Sequence, residues 1–188
     1  MKTDLGSVPA VCPMPVLIVS AYDGEGKINS MNAAWGMICQ MDKIALFIDE
    51  DHKTTQNILA SKAFTVGLAD RKSMVPADYV GIVSGNKVKD KHERTGFHAT
   101  KSKHVNAPII DELPITMECD LAEVVKTDNM YCIVGKIVNV CADENVIGDN
   151  GKIDISKTEI LMFDQFNWNY NVLGEKVGKA GQAGKELK

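Results

Sequence analysis

The sequence predicts a mainly β protein with a few short helices, folded as a closed or nearly closed antiparallel barrel. At least six short apolar segments are separated by turn signals along the chain. Two long segments with alternating apolar and polar residues flank a short polar link, as in a β-hairpin. Helix-like segments are too few to cover both faces of a parallel sheet, which argues against that architecture.

The N-terminal part of the chain supplies four strands and one helix. PVLIVSAY (15–22) has the length and apolar character of a buried strand. DGEGK (23–27) contains two glycines that can adopt positive φ, which indicates a turn into a short second strand. KIALFID (43–49) and AFTVGLA (63–69) predict further strands, and TTQNILASK (54–62) between them predicts a short helix that begins with Thr.

The second half of the chain has the clearest pattern. A helix is expected over 75–83, with Pro near its first turn. The long polar segment 86–108 predicts an irregular loop, and loops of that length are usually functional or mobile. Two alternating runs within 114–143 predict a hairpin with its turn at 126–129. The last apolar cluster, at 158–174, contains several aromatic residues.

Length and composition bound the organisation and the partners. The 188 residues, 45% hydrophobic and 24% charged, suit one globular domain over 1–174, with a polar C-terminal tail at 175–188 that is rich in Gly, Ala and Lys. A net charge of -4 leaves no electrostatic footprint for nucleic acid. No apolar run approaches the roughly 20 residues that span a membrane, and prolines interrupt the N-terminal apolar segment. We therefore expect a cytoplasmic protein with no nucleic-acid and no membrane partner.

The five cysteines are scattered and odd in number, which argues against a disulfide framework and against a zinc site. Three of them lie in strand-like segments, and we expect these to be small apolar core residues. A redox role stays open for the other two. The strand cysteines are Cys119, Cys132 and Cys141, and the others are Cys12 and Cys39.

Histidines in the long loop raise the question of a metal site. His92, His98 and His104 are spaced six apart, but no close second pair of ligands accompanies them. We expect solvent-exposed loop histidines and no metal. No combination of side chains typical of nucleophilic or acid–base catalysis stands out either, so no catalytic residue is predicted.

The segment INSMNAAWG (28–36) places small and polar residues just before a core strand, with one large ring at Trp35. Small side chains let the backbone approach a flat ligand closely, and backbone N–H groups can donate to the polar edge of an isoalloxazine. A neighbouring indole can cover one face of such a ring. Taken alone, the segment is better explained by an ordinary β-turn or bulge with a buried Trp.

The segment DEDHKTTQNI (49–58) predicts a helix start at Lys53, Thr54 and Thr55. The exposed N–H groups and the dipole of a helix N-terminus favour a phosphate, and the hydroxyls and the lysine add donors and charge. An ordinary capped helix would look the same in isolation. Only one strand separates the two segments, so together they match FMN, which has a flat head, a polyol arm and one phosphate.

With these segments in place, the chain resembles the flavoredoxin branch of the flavin reductase-like, FMN-binding split-barrel family. The resemblance is carried by CPMPVLIVSAYDGEGKINSMNAAW, HKTTQNI, DYVGIVSGNKVKDKHERTGF and WNYNVLG, in that order. It implies an antiparallel split β-barrel of Greek-key type that forms a homodimer and binds FMN non-covalently. It also implies redox chemistry at the flavin, with electrons from NADH, NADPH or another carrier.

The resemblance also implies site residues, all of them cofactor-binding. The flavin-ring segment matches Asn29, Ser30, Met31, Ala33 and Trp35, and the phosphate segment matches Lys53, Thr54 and Thr55. Ser84, Gly85 and Lys91 match a segment beside the flavin, and Phe163 and Tyr170 reach the site of the same or of the other subunit. The family often has an aromatic residue after the lysine, where this chain has His92, so the substrate side departs from the family pattern.

Three functions remain open at this stage. The first is an NAD(P)H-dependent flavin reductase-like oxidoreductase, with the loop 86–108 bordering the open face of the flavin. The second is a flavoredoxin-type electron carrier between protein partners, without a nicotinamide site of its own. The third is a barrel that binds a non-redox ligand or serves as an interaction module.

Overall fold

The computed structural model describes residues 1–187, which form the mainly β fold that the sequence predicts. The strands are β1 Met14–Pro15, β2 Leu17–Tyr22, β3 Ile28–Ala33, β4 Gly36–Gln40, β5 Lys43–Phe47, β6 Ala63–Leu68, β7 Ala99–Lys101, β8 Pro108–Ile110, β9 Ile115–Thr127, β10 Met130–Ala142, β11 Leu161–Asp164 and β12 Asn169–Val172. The helices are α1 Lys53–Ser61 and α2 Met74–Ile82. None of the described helices is long and apolar enough to cross a membrane.

One seven-stranded antiparallel sheet, in the order β3-β2-β6-β9-β10-β5-β4, forms the body of the protein. The edge strands β3 and β4 follow each other in the chain, with only Ala34 and Trp35 between them. The sheet must therefore curl until its two edges approach each other. At this junction the N–H of Phe47 donates to the carbonyl of Trp35 over 2.8 Å.

The interior of the curled sheet is filled by apolar side chains from β2, β3, β5, β6, β9, β10 and α1. They include Val19, Leu46, Ile58, Phe64 and Ile133, all fully buried. The ring of Phe64 occupies the space beside Gly135, where an added Cβ would meet Phe64 Cε1 at 3.1 Å. Two β-bulges, one with its extra residue in β9 and one with its extra residue in β10, help to bend the long β9–β10 hairpin around this core.

A second apolar cluster lies on the outer side of β2, where α2 packs against it. It contains Ile18, Val80, Phe97, Ile110 and Leu161. A small sheet in the order β1-β11-β12 adjoins this cluster. The C-terminal hairpin is thereby held beside α2 and the end of β3, which brings residues far apart in the sequence to one edge of the barrel.

The segment 86–108 is more ordered than the sequence prediction of an irregular loop. It contains a 3-10 turn at Glu93–Thr95 and the first strand of a β7–β8 hairpin. Phe97 and Ile110 anchor the segment in the second cluster. Ser102 Oγ accepts from the N–H groups of His104 and Val105 and donates to the buried Glu118 carboxylate, so side chains supply the partners that the loop backbone lacks.

The remaining differences are small. The first helix begins one residue earlier than predicted, at Lys53. Of the cysteines expected in the core, Cys119 and Cys132 are buried and Cys141 is half-buried, whereas Cys12 and Cys39 are exposed. Residues 175–185 of the predicted polar tail are exposed. Lys188, the last residue of that tail, lies outside the described residues.

Candidate functional site

A groove runs along β3 from the preceding turn to the β11–β12 hairpin, and we call it the β3 groove. It consists of four adjoining depressions with volumes of ≈ 590, ≈ 170, ≈ 410 and ≈ 300 Å³. Asn29, Lys53 and Gly85 line the first two depressions, and Met31 and His52 line the second and third. The β11–β12 hairpin, which we call the aromatic hairpin, contributes Phe163 and Trp168 to the last two. Because neighbouring depressions share lining residues, they adjoin one another along β3.

The narrow second depression brings together the predicted phosphate segment and the segment that was predicted to lie beside the flavin. Its walls include Lys53, Thr54, Ser84, Gly85 and Lys91. An amide–hydroxyl hydrogen bond joins β3 to α1, since Asn29 Nδ2 donates to Thr54 Oγ1 over 2.6 Å. With its oxygen already accepting, the Thr54 hydroxyl keeps its proton available for an anionic ligand.

The N-terminus of α1 opens into this depression without a built-in cap. His52 precedes the helix and makes no side-chain cap bond, and the first turn contains no acidic residue. The first N–H groups of a helix have no partner within the helix, so they remain available to an anion here. The side chain of Lys53 adds a positive charge at the same place.

Lys91 is only 3% exposed, although it carries a charged side chain. Burial lowers the pKa of Lys91 from 10.5 to about 8. No carboxylate of the described chain forms an ion pair with it. A buried ammonium without a counter-ion is costly, and an anion or a carbonyl-rich ligand in the depression would relieve that cost.

Two predicted residues lie beneath the groove rather than in its walls. The Ser30 hydroxyl is fully buried and hydrogen-bonded to the Ser20 hydroxyl over 2.7 Å. Thr55 Oγ1 is also buried and has no hydrogen-bond partner among the described residues. Any contact of these two residues with a ligand in the groove would therefore run through their backbone groups.

The third depression is wide and apolar, and Met31, Ala33, Trp35 and Phe163 line it. Trp35 is 59% exposed, so the alternative of an ordinary turn around a buried Trp does not apply. Its indole is therefore accessible to a ligand in this depression. This end of the groove suits a flat ring system.

Trp168 also borders this end of the groove, and the sequence prediction missed it. It is 83% exposed and adopts φ 57°, a left-handed conformation that is uncommon for a large side chain. Its ring meets Phe163 edge-on, with centroids 5.7 Å apart. The only sequence signal was the cluster of aromatic and Asn residues around it.

Tyr170 lines the fourth depression and ties the hairpin to α2. Its hydroxyl donates to Asp78 Oδ1 over 2.8 Å, and Asn32 Nδ2 donates to the carbonyl of Ala77 on the same helix over 3.2 Å. Burial and the bond to Asp78 raise the pKa of Tyr170 to about 12, so the hydroxyl stays protonated at neutral pH. Its role in this geometry is to hold the aromatic hairpin in position.

A family model described as "Flavin reductase like domain" matches residues 10–165. The chain belongs to this family. Flavoredoxin of Desulfovibrio vulgaris (Miyazaki F) is similar, with 32% identity, a TM-score of 0.92 and coverage of 98% of this chain and 100% of that one. Flavoredoxin from Methanosarcina acetivorans has 26% identity, a TM-score of 0.89 and full coverage of both chains.

An FMN-binding domain of a flavin reductases-like enzyme from Shewanella baltica matches at a TM-score of 0.76 over 88% of each chain. Its identity is 18%, so this likeness concerns the fold alone. Together with the antiparallel sheet, these structures confirm the predicted split β-barrel of the flavin reductase like family.

The groove of this flavin reductase like domain fits FMN on its own chemistry. The narrow depression offers donors that have no partner among the described residues, namely the first N–H groups of α1, the Thr54 hydroxyl proton and the Lys91 ammonium. The wide depression offers a short-side-chain strand and exposed aromatic rings. A ligand with a flat head and a terminal phosphate meets the needs of both ends.

His92 corrects one expectation, since it is half-buried rather than solvent-exposed. Its Nδ1 is buried without a hydrogen-bond partner among the described residues, and burial lowers its pKa. In this flavin reductase like domain the residue after Lys91 is therefore packed into the fold. His98 and His104 are exposed as expected.

Proposed function

We propose that this protein binds FMN non-covalently in the β3 groove and performs flavin-mediated redox chemistry, with electrons from NADH or NADPH. The observation that carries the proposal is the row of adjoining depressions along β3, which leads from the uncapped start of α1 to an exposed aromatic end. Membership of the flavin reductase like family supports the same ligand.

In this proposal each part of the chain holds one part of the cofactor. The N–H groups at the start of α1, the Thr54 hydroxyl and the Lys53 ammonium bind the phosphate. The backbone of β3 from Asn29 to Ala33 borders the ring edge, and Trp35 and Phe163 line the space around the ring. Ser84, Gly85 and Lys91 close the groove between the two ends.

When bound, FMN supplies hydride and single-electron transfer, and the protein supplies binding and electrostatics. N–H donors along β3 would stabilise negative charge at the ring edge without a change of conformation. The aromatic rim of Trp35, Phe163 and Trp168 limits the access of water. No side-chain acid or base is assigned to the reaction, because hydride transfer itself needs none.

We further propose that the protein acts as a homodimer. Several large apolar side chains near Trp35 are exposed in the single chain, and a patch of this kind is typical of an interface. They are Met37, Ile38, Met41 and Phe47 on or beside β4 and β5. A barrel this small cannot enclose a whole nucleotide, and ligand sites favour junctions between subunits. Sedimentation equilibrium at micromolar concentration should give twice the mass of the chain.

The visible spectrum of the purified protein tests the proposed function directly. We expect a yellow protein with flavin absorption bands, or one that acquires them when soaked with FMN. Rapid anaerobic bleaching of the colour by NADH or NADPH would support the oxidoreductase. A colourless protein that takes up no FMN at saturating concentrations would overturn the proposal.

A flavoredoxin-type electron carrier is the second candidate, and the 32% identity to a protein of that name favours it. A carrier would bind FMN equally well but would not be bleached by either nicotinamide. It would be reduced by dithionite or by a reduced redox protein. The order of addition in one anaerobic cuvette, nicotinamide first and dithionite second, separates the two candidates.

Gly85→Ala is expected to weaken FMN binding about three- to tenfold. An added Cβ would meet Asn29 Cγ at 2.8 Å, so Asn29 must move and its bond to Thr54 is lost. Without that bond the Thr54 hydroxyl is no longer held toward the ligand, and one hydrogen bond to the ligand contributes about 0.5–1.5 kcal/mol. Gly174→Ala is the matched control, because nothing lies within 4 Å of its added Cβ. Equal FMN affinity in both variants, measured by flavin fluorescence titration, would contradict the predicted contact.

Trp35→Ala is expected to weaken FMN binding and to increase the fluorescence of the bound flavin, because the indole no longer quenches it. An aromatic pair contributes about 0.5–1.5 kcal/mol beyond its buried area, or roughly two- to tenfold in affinity. Phe166→Ala is the control, since Phe166 is 52% exposed and lines no part of the groove. A spectrum and affinity identical to those of the parent would place Trp35 outside the site.

A further inference from the structure

The groove does not end at the proposed phosphate position. Beyond Lys53 it opens into the ≈ 590 Å³ depression beside the turn between β2 and β3. Both volume and position would accommodate a group attached to the far side of the phosphate, since ligand pockets typically measure roughly 300–1,000 Å³. Space alone therefore does not limit the ligand to a mononucleotide.

A fixed carboxylate stands at the entrance to this depression. Asp23 Oδ1 accepts from the N–H groups of Glu25 and Lys27, each over 2.9 Å, which locks the side chain into the turn. Asp23 Oδ2 lies 3.9 Å from Lys53 Nζ. The Asp23 side chain is 19% exposed, so its charge is less screened by water than that of an ordinary surface acid.

Asp23 is ionised in this setting. Partial burial alone would raise the pKa of the carboxyl group. The two backbone N–H donors and the charges of Lys53 and Lys27 outweigh that effect, and the pKa lies below its usual value. The boundary between the phosphate position and the wider depression thus carries a permanent negative charge.

The other charges of this depression are differently placed. Lys27 pairs with Glu25 over 3.2 Å, and their side chains are 67% and 76% exposed. Lys89 also lines this depression and is exposed. These three side chains are long and solvated, whereas the Asp23 side chain is short and held by two backbone N–H groups. Asp23 is therefore the charge that a ligand passing Lys53 meets first.

We propose that Asp23 is a specificity residue that makes the groove selective for flavin mononucleotide over flavin adenine dinucleotide. This inference rests on the proposed FMN site. The mononucleotide ends at the phosphate that Lys53 neutralises. In the dinucleotide a second phosphate is bonded to the first and must extend past Lys53, into the field of the Asp23 carboxylate. Two like charges in partly buried surroundings repel each other appreciably.

The test compares the dissociation constants of FMN and FAD for the parent protein and for Asp23→Asn, by flavin fluorescence titration at low ionic strength. Asn keeps an oxygen that accepts the two turn hydrogen bonds and removes only the charge. We expect the parent protein to bind FMN at least about tenfold more tightly than FAD. In Asp23→Asn that ratio should shrink about three- to tenfold, chiefly through tighter FAD binding.

Two further variants test whether the charge of Asp23, rather than its shape or any nearby charge, sets the ratio. Asp23→Ser, which also suits a turn, should shift the ratio in the same direction if charge rather than shape decides. Glu25→Gln removes a charge from the same depression, but from an exposed side chain, and should change the ratio less than twofold. Thermal melting checks that each variant is folded.

The outcomes separate this inference from the function on which it rests. Binding of FMN with an unchanged FMN-to-FAD ratio in both Asp23 variants would overturn the role of Asp23 and leave the FMN site intact. Equal affinity of the parent for both flavins would do the same. Failure of the parent to bind either flavin would overturn both the proposed function and the inference.

Discussion

The double variant Lys53→Ala with Thr54→Ala is expected to bind FMN about 30- to 700-fold more weakly than the parent while keeping its fold. The two side chains contribute hydrogen bonds to a doubly charged phosphate, and their loss removes about 2–4 kcal/mol of binding free energy. Substitution of the other proposed phosphate contacts would not remove both a charge and a buried hydroxyl. Isothermal titration calorimetry with FMN gives the affinity directly.

The geometry also predicts a secondary effect of this double variant. Thr54 Oγ1 accepts from Asn29 Nδ2, so removal of the hydroxyl leaves a buried amide donor without a partner. The cost to stability is about 1 kcal/mol, which is small compared with the loss of binding. Gln56→Ala on the exposed side of α1 is the control, because it shortens a polar side chain on the same helix without reaching the groove. An FMN affinity equal to that of the control would disprove the phosphate assignment.

The sequence predicted the parts of the fold that depend on local pattern. Alternation over β9 and β10 and the polar link between them reproduced the hairpin almost to the residue. The start of α1 was predicted to within one residue, although the structure has His52 at the N-cap position and no side-chain cap bond. These signals need no knowledge of what packs against what.

Long-range packing supplied what the sequence alone could not. Lys91 lies in a lysine-rich polar segment that resembles a solvated loop, and only packing against the edge of the barrel buries it. The exposure of Trp168 depends on a left-handed residue in a hairpin turn, for which its sequence carries no specific signal. Ser30 and Thr55 illustrate the reverse case. The strand that contains Ser30 and the helix that contains Thr55 were predicted correctly, but the direction of each side chain depends on strand register and helix phase.

Substitution of Lys91 by Met is expected to move stability and binding in opposite directions. Met fills a similar volume and removes the charge whose burial depresses the pKa of Lys91 from 10.5 to about 8. That depression corresponds to about 3 kcal/mol of unfavourable free energy at neutral pH in the flavin-free protein. The flavin-free variant should therefore melt at a higher temperature than the parent, whereas its FMN affinity should fall about 10- to 150-fold.

The pH dependence gives this prediction its sign. In the flavin-free parent the folded state binds the Lys91 proton less tightly than the unfolded state does. Unfolding therefore takes up a proton between pH 8 and 10.5. The free energy of unfolding rises with pH through this range, because Lys91 becomes neutral in the folded state while it is still charged in the unfolded state. The advantage of Lys91→Met should be greatest below pH 8 and should vanish above pH 10.5. FMN affinity of the parent should decline above pH 8, because the ammonium that faces the ligand loses its proton.

Lys89→Met is the matched control, because Lys89 lies two residues earlier, is exposed and lines the ≈ 590 Å³ depression. It should leave the melting temperature and the pH dependence of stability unchanged. A gain in stability together with a loss of binding would show that the charge of Lys91 serves FMN binding and lowers the stability of the flavin-free protein. If Lys91→Met instead lowers the melting temperature and leaves FMN affinity as in the parent, Lys91 is a packing residue, and the groove must neutralise its ligand by Lys53 and the α1 amides alone.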